Sequence, residues 1–246
     1  MNRTTTVAAL ALAVTFGMFA GGRLAAQTAP STAAVPLPPD VYPDSRERLP
    51  LPKREDLDDY GKTIFDAQTK PVREEDGRSP ASVELYDPKL ADIMDKGRHY
   101  LKFDTGLGDR LVQIAVLATA REMKNPYEWV QWETVSWEPQ TPTYVDPVVV
   151  DIVKYEKPVT GIDEKAGTVI TFVRELAGCR NVTPATFAHV DKLFGPRLTL
   201  DLADLVGMYE DAGAEITAFN LQLKPGQKND FPDHPVPTAC PAGSPV

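Results

Sequence analysis

The amino-acid sequence predicts an all-α protein, a single helical bundle of about seven helices. Three observations lead to that fold class. Apolar residues recur at helical spacing through most of the chain after residue 82, and the clearest stripe is Val169, Phe172, Val173 and Leu176. A proline follows a capping residue where several helices are predicted to begin, as in Asp87-Pro88 and Asp146-Pro147. No segment shows the sustained alternation of apolar and polar residues that is typical of a half-buried strand.

The first four predicted helices lie between residues 57 and 137. A short helix is predicted at 57–65, within the charged segment 53–80. Asp87 caps a second helix, which begins at Pro88 and runs to about Phe103. The third, 109–124, is apolar on all sides in its middle, which predicts a place at the centre of a bundle or of an oligomer. Pro126 ends it, and a short fourth helix is predicted at 127–137.

The remaining helices are predicted between residues 146 and 223. Asp146-Pro147 begins one, and the 169–176 stripe belongs to the next. Thr183-Pro184 begins another, which is expected to end at Gly195-Pro196. The last begins near Thr199 and continues to about residue 223. Because the 109–124 helix is too apolar to face water alone, a homo-oligomer is expected.

The two ends of the chain differ in composition from the helical domain, which is assigned to residues 53–223. Residues 1–26 have the features of a signal peptide: Arg3, an apolar run at 7–20, and small residues before a cleavage site after Ala26. An uncleaved anchor is the alternative. A Pro/Ala-rich leader, 27–52, and a Pro-rich tail, 224–246, flank the domain. This arrangement predicts a periplasmic or secreted protein that leaves the membrane after cleavage.

Charge and motifs exclude several classes of function. The formal net charge is −9, and cleavage removes two arginines and no acidic residue, so the mature charge is −11. Such acidity argues against a nucleic-acid partner. The three histidines lack the spacing of a metal site, and no phosphate-binding loop or dinucleotide fingerprint is present, so no metal or cofactor is expected.

Cys179 and Cys240 are the two cysteines of the chain. In an oxidising compartment they are expected to form a disulfide that joins the tail to the body, with two free thiols as the alternative. Their separation rules out a Cys-x-x-Cys redox motif.

The apolar stretch Gln113-Ile-Ala-Val-Leu117, the break at Asn125-Pro126 and the Tyr127-Glu-Trp129 that follows resemble the site region of the carboxymuconolactone decarboxylase family, which includes the alkyl hydroperoxidase D-like proteins. The resemblance covers most of residues 50–223. It implies an alkyl hydroperoxidase D-like bundle and a lyase that acts on a small organic acid or lactone. In such proteins a carboxylate and a histidine move a proton, and this chain has Gln113 and Trp132 at those two positions. Neither side chain can act as a general base.

Glu128 is therefore the candidate catalytic residue. It lies four residues before Trp132, so both side chains project from one face of the short helix. A carboxyl group beside indole rings in an apolar cleft should have a raised pKa, as catalytic carboxyls often do. The alternative is a structural ion pair between Glu128 and an arginine. Glu133, on the same helix, is expected to be solvated or to cap a helix.

Five further residues are assigned to substrate binding: Gln113 as a polar anchor, Tyr127 as a hydrogen-bond donor, Trp129 and Trp132 as an aromatic wall, and His99 at the edge of the site. The alternatives are core or subunit-interface packing for the tryptophans, a buried side chain anchored to the backbone for Tyr127, and surface exposure for His99. A binding or scaffolding protein that kept the fold and lost the chemistry is the alternative function. Cys-dependent peroxide reduction would require a reactive thiol, which the site segment lacks.

Overall fold

In the computed structural model, which describes residues 36–69 and 79–245, the described chain is all-α and has no strand. The predicted signal peptide, 1–26, and the first part of the leader lie outside the described residues. Eight α-helices occur in the described part: α1 (Asp59–Thr69), α2 (Pro80–Glu84), α3 (Pro88–His99), α4 (Asp109–Glu122), α5 (Pro126–Ser136), α6 (Pro147–Lys154), α7 (Glu164–Val173) and α8 (Pro184–Phe219). The prediction of an all-α helical bundle is confirmed.

Helix α4 is the centre of this bundle. Every residue from Leu111 to Arg121 is buried, and α5, α6, α7 and α8 all pack against the helix. Its apolar surface is therefore covered by other helices of the same chain. The observation that led to the expected homo-oligomer is thus explained within one subunit, and the oligomer stays a prediction.

The predicted helix starts are built from side-chain caps. The carboxylate of Asp87 accepts hydrogen bonds from the backbone N–H groups of the first turn of α3, and Asp146 and Thr183 do the same for α6 and α8. In each case a proline occupies the first turn, where its missing N–H leaves no hydrogen bond unmade.

Helix α8 bends at Gly195, where the sequence predicts the end of one helix and the start of another. Gly195 has φ 79° and ψ 165°, a conformation that residues with a Cβ rarely adopt, and Pro196 follows it. The hydroxyl of Thr199 donates to the carbonyl oxygen of Gly195 at 2.9 Å, so the chain remains hydrogen-bonded across the bend.

Two features were not predicted from the sequence. The first is helix α2, which is too short to show a periodic apolar stripe. The other is a pair of π-helical turns, Tyr100–Asp104 after α3 and Arg174–Gly178 after α7. Such turns carry an extra residue and are common at functional sites.

The C-terminal tail packs on the bundle although it contains no helix. Cys179 and Cys240 form a disulfide with their Cα atoms 5.5 Å apart. The guanidinium of Arg121 donates to the carbonyl oxygen of Val236 at 2.5 Å, and Phe231 is buried. The tail is therefore part of the folded body. None of the helices in the described ranges is both long enough and apolar enough to span a membrane.

Candidate functional site

A cavity of about 400 Å³ lies between the end of α3, helix α5 and the second half of α8. The start of α2 and the chain after α8 complete its wall. Its lining combines aromatic and charged side chains, chiefly Arg98, Lys102, Tyr127, Glu128, Trp132 and Tyr209. The volume is large enough for a small organic ligand.

Glu128 lies in the first turn of α5, at the wall of this cavity. The side chain of Asn125 accepts from the backbone N–H of Glu128 at 3.1 Å and so begins the helix at this point. Glu128 is only 4% exposed. Burial raises the pKa of its carboxyl to about 7, although a hydrogen bond from Trp132 and the charges of Lys102 and Arg98 act in the opposite direction. Near neutral pH this group can therefore both donate and accept a proton.

Trp132 contacts Glu128 and two side chains from other elements, Lys102 and Tyr209. Its indole N–H donates to the Glu128 carboxylate at 2.5 Å, which is the (i, i+4) arrangement predicted from the sequence. The face of the same indole lies 4.1 Å from Nζ of Lys102, measured to the ring centroid. The rings of Trp132 and Tyr209 form a T-shaped pair with their centroids 5.5 Å apart. Burial, followed by the negative charge of Glu128, raises the pKa of Tyr209, so its phenol stays protonated.

Lys102 reaches the cavity from the π-helical turn Tyr100–Asp104. Burial lowers the pKa of its amine, the nearby Glu128 raises it, and the positive charge of Arg98 lowers it further. Burial is the largest of these effects, so the amine loses its proton more readily than a lysine in water.

Arg98 is held in place by a buried carboxylate. Both of its terminal nitrogens donate to Glu84 of α2, at 2.5 and 2.6 Å, and the Glu84 side chain is almost fully buried. The sequence left open an ion pair between an arginine and Glu128. Among the ion pairs of the described residues, Arg98 binds Glu84 instead, and the Glu128 carboxylate accepts from Trp132.

Of the residues assigned to ligand binding, Tyr127 and Trp132 line the cavity together with Glu128. Gln113 does not. It is buried on α4, where its side-chain amide donates to the carbonyl oxygen of Trp132 at 2.7 Å and to the hydroxyl of Ser136 at 3.0 Å. Gln113 therefore fixes α5 against α4 from behind the cavity.

The other two assigned residues also lie away from the cavity lining. Trp129 is fully buried, and its ring packs against Phe231 of the tail with the centroids 5.9 Å apart. The side chain of His99 is 66% exposed and lies 3.8 Å from the carboxylate of Asp104. The structural alternatives, core packing for Trp129 and surface exposure for His99, describe these positions.

Glu133 was expected to be solvated or to cap a helix, and the prediction that it is solvated is wrong. Its side chain is buried and lies 3.1 Å from Nζ of Lys154, which also binds Asp230 of the tail at 2.6 Å. Burial raises the pKa of Glu133 to about 7, and Asp230 acts in the same direction. The tail supplies one of these partners, and its position could not be read from the helical pattern.

Sequence reasoning missed Lys102, Arg98 and Tyr209. Lys102 and Arg98 are four residues apart, so they share a face of α3 and its π-helical turn. That spacing is common in solvated helices and gives no signal by itself. Among the described residues, no group of three or more metal-binding side chains is positioned to hold a metal ion.

Comparisons with protein-family models, with curated proteins and with solved structures found no match to this chain. The resemblance to the carboxymuconolactone decarboxylase family therefore rests on the sequence motifs alone.

Proposed function

We propose that this protein is an enzyme that transfers a proton on a small organic acid or lactone, with Glu128 as the acid–base group. One observation carries the proposal: a carboxyl group with a pKa of about 7 lines a cavity of about 400 Å³. A group that titrates near the working pH is the most effective proton carrier.

The charges around the cavity favour an anionic ligand. Arg98, Lys102 and Lys224 line it, and Glu128 is the acidic residue among the lining side chains. A substrate carboxylate or enolate would be stabilised by the positive side chains of Arg98 and Lys224, while Tyr127 and Trp132 cover its apolar part. The corresponding reaction is proton transfer next to a carbonyl, or loss of a carboxyl group followed by protonation of the resulting carbanion.

The sequence motifs support a carboxymuconolactone decarboxylase-like lyase with an alkyl hydroperoxidase D-like fold, and residues 1–26 support export to the periplasm or secretion. The homo-oligomer stays a prediction. Within that proposal the proton carrier differs from the family pattern, because Gln113 and Trp132 take the positions of the carboxylate and the histidine. Gln113 has become a packing residue, and Trp132 orients Glu128.

The test compares the wild-type protein with Glu128→Gln on a panel of small lactone acids and keto acids. Proton transfer is followed by NMR as deuterium incorporation from D2O, and decarboxylation as CO2 release. We expect the substitution to lower turnover at least about 100-fold, the usual contribution of a general acid–base group. Glu138→Gln, which removes an exposed carboxylate just after α5, is the matched control. Unchanged turnover in Glu128→Gln contradicts the proposal.

A binding protein without catalysis is the second candidate. It is favoured by the hydrogen bonds of Gln113 and Trp132, because both positions of the family's acid–base pair serve packing and orientation here. A compound that raises the melting temperature and is recovered unchanged supports this function, and conversion of any compound in the panel excludes it.

Cys-dependent peroxide reduction would need a thiol at the cavity. Both cysteines of the chain are in the disulfide, and neither lines the cavity. Loss of a hydroperoxide that depends on Cys179 or Cys240 would reverse this conclusion.

A further inference from the structure

Lys102 has the surroundings of a nucleophilic amine, and this inference rests on the proposed function of the same cavity. We propose that Lys102 forms a covalent imine with the ketone or aldehyde carbonyl of a substrate, with Glu128 as the proton carrier for that step. The substrate class is then a small carbonyl compound that carries a carboxylate, such as a β-keto acid.

The geometry brings the two groups to one indole ring. Nζ of Lys102 lies 4.1 Å from the centroid of the Trp132 ring, and the N–H of that ring donates to Glu128 at 2.5 Å. Both side chains line the same cavity. An amine and a carboxyl so placed can both reach one carbonyl compound bound in the cavity.

The surroundings of Lys102 lower the pKa of its amine, because burial outweighs the opposing charge of Glu128. Nζ of Lys102 lies 4.1 and 5.4 Å from the ring centroids of Trp132 and Phe103, and these contacts favour the charged amine and so act against the effect of burial. Arg98, four residues earlier on the same face, adds a repulsive positive charge. Burial beside another cation is a recognised way of activating a lysine amine.

Glu128 can carry the protons that imine formation at Lys102 requires. The neutral amine adds to the carbonyl carbon, a C–N bond forms, and the amine proton passes through Glu128 to the carbonyl oxygen. Protonated Glu128 then gives its proton to that hydroxyl, the C–O bond breaks, and water leaves an iminium ion. The overall change converts the amine, the carbonyl and the Glu128 proton into an iminium ion and water, leaves Glu128 as the carboxylate, and needs no oxidant or reductant.

A β-keto acid would continue from this intermediate. The bond to the carboxylate breaks, its electron pair moves towards the iminium nitrogen, and CO2 leaves behind an enamine. Glu128 takes up one proton from water and passes it to the enamine carbon. Addition of water to the new iminium releases the ketone and the free lysine amine and returns the iminium proton to Glu128, so one proton is consumed for each CO2 released.

The test is reductive trapping on the full-length protein. Acetoacetate, pyruvate and acetaldehyde are each added at pH 7 with sodium cyanoborohydride, and the modified lysines are located by peptide mass spectrometry. We expect an adduct on Lys102 before any surface lysine, and its loss in Lys102→Arg and in Lys102→Met. Lys89→Arg, at an exposed position of α3, is the control and should keep the Lys102 adduct.

A second measurement does not depend on the choice of substrate. The reagent 2,4-pentanedione reacts with neutral lysine amines, and at pH 7 it should modify Lys102 faster than Lys89. Modification of Lys102 no faster than Lys89, or the absence of a Lys102 adduct with all three carbonyl probes, overturns the proposal.

The two proposals on this cavity fail in different ways. If Lys102 is not modified but Glu128→Gln abolishes turnover, the imine is excluded and proton transfer by Glu128 stands. If Lys102 is modified but Glu128→Gln turns over normally, the amine is reactive and the proposed role of Glu128 is wrong.

Discussion

The replacement of Glu128 by glutamine should change how stability depends on pH. Burial raises the pKa of this carboxyl from 4.5 to about 7, so the folded protein holds a proton that the unfolded chain has released between those values. The folded state of the wild type is therefore favoured at low pH, and this contribution is lost as the pH rises through about 7. Glutamine keeps the shape and an acceptor for the Trp132 N–H but does not ionise.

The magnitude follows from the same two pKa values. One pKa unit corresponds to about 1.4 kcal/mol, so ionisation of Glu128 inside the fold costs about 3 kcal/mol at pH 8. At pH 5 the cost is below about 1 kcal/mol, because the folded carboxyl is then protonated. The stability of Glu128→Gln relative to the wild type should therefore increase by about 2–3 kcal/mol between pH 5 and pH 8.

Urea unfolding at the two pH values, with the disulfide intact, measures this difference. Burial raises the pKa of four other carboxyls to about 7 as well, but these are present in both proteins and cancel: Glu47, Glu122, Glu133 and Glu215. Glu138→Gln controls for the loss of one negative charge at an exposed site. If the free-energy difference between Glu128→Gln and the wild type is the same at pH 5 and pH 8, the carboxyl is not desolvated and the reasoning fails.

Three further predictions concern the support of the site. Trp132→Phe removes the N–H that lowers the pKa of Glu128, so that pKa should rise further, which NMR titration of the labelled carboxyl would detect; an unchanged value contradicts the assigned hydrogen bond. Cys179→Ser with Cys240→Ser should cost about 4 kcal/mol, since the disulfide closes a loop with a sequence separation of 61 residues. Equal urea midpoints for the oxidised wild type and this variant would refute that value. Arg98→Met should lower the free energy of unfolding by about 3–5 kcal/mol, because it leaves the buried carboxylate of Glu84 without its partner. Adding Glu84→Gln should restore much of this loss in thermal melts. No recovery would show that packing, not charge, dominates.

Local signals explain why most of the helices could be predicted. Asp87, Asp146 and Thr183 cap the helices that follow them, and Pro126 separates α4 from α5. A cap or a proline acts on backbone groups within one turn, so its effect does not depend on the rest of the fold. Helix α2 and the two π-helical turns escaped prediction because each has only 5 residues, too few to repeat an apolar stripe.

The candidate site was predictable only in part. The relation of Glu128 to Trp132 is a helical spacing within one element, and the structure contains it as a hydrogen bond. Lys102 and Tyr209 come from two other elements and meet these residues only after the bundle has packed. Gln113 lies beside α5 as the resemblance implied, but it does not anchor a ligand, because its side-chain amide donates to the backbone of α5.

The sequence by itself determined that this chain is helical, where most helices begin, and that Glu128 and Trp132 share a face, since all of these depend on residues within a few positions of one another. The tertiary structure alone decided that the tail covers Trp129, that Glu133 is buried with Lys154, and that Glu128 faces a cavity with Lys102. The physical reason is desolvation: a pKa depends on how much water and which charges surround a group, and those surroundings come from segments far apart in the chain.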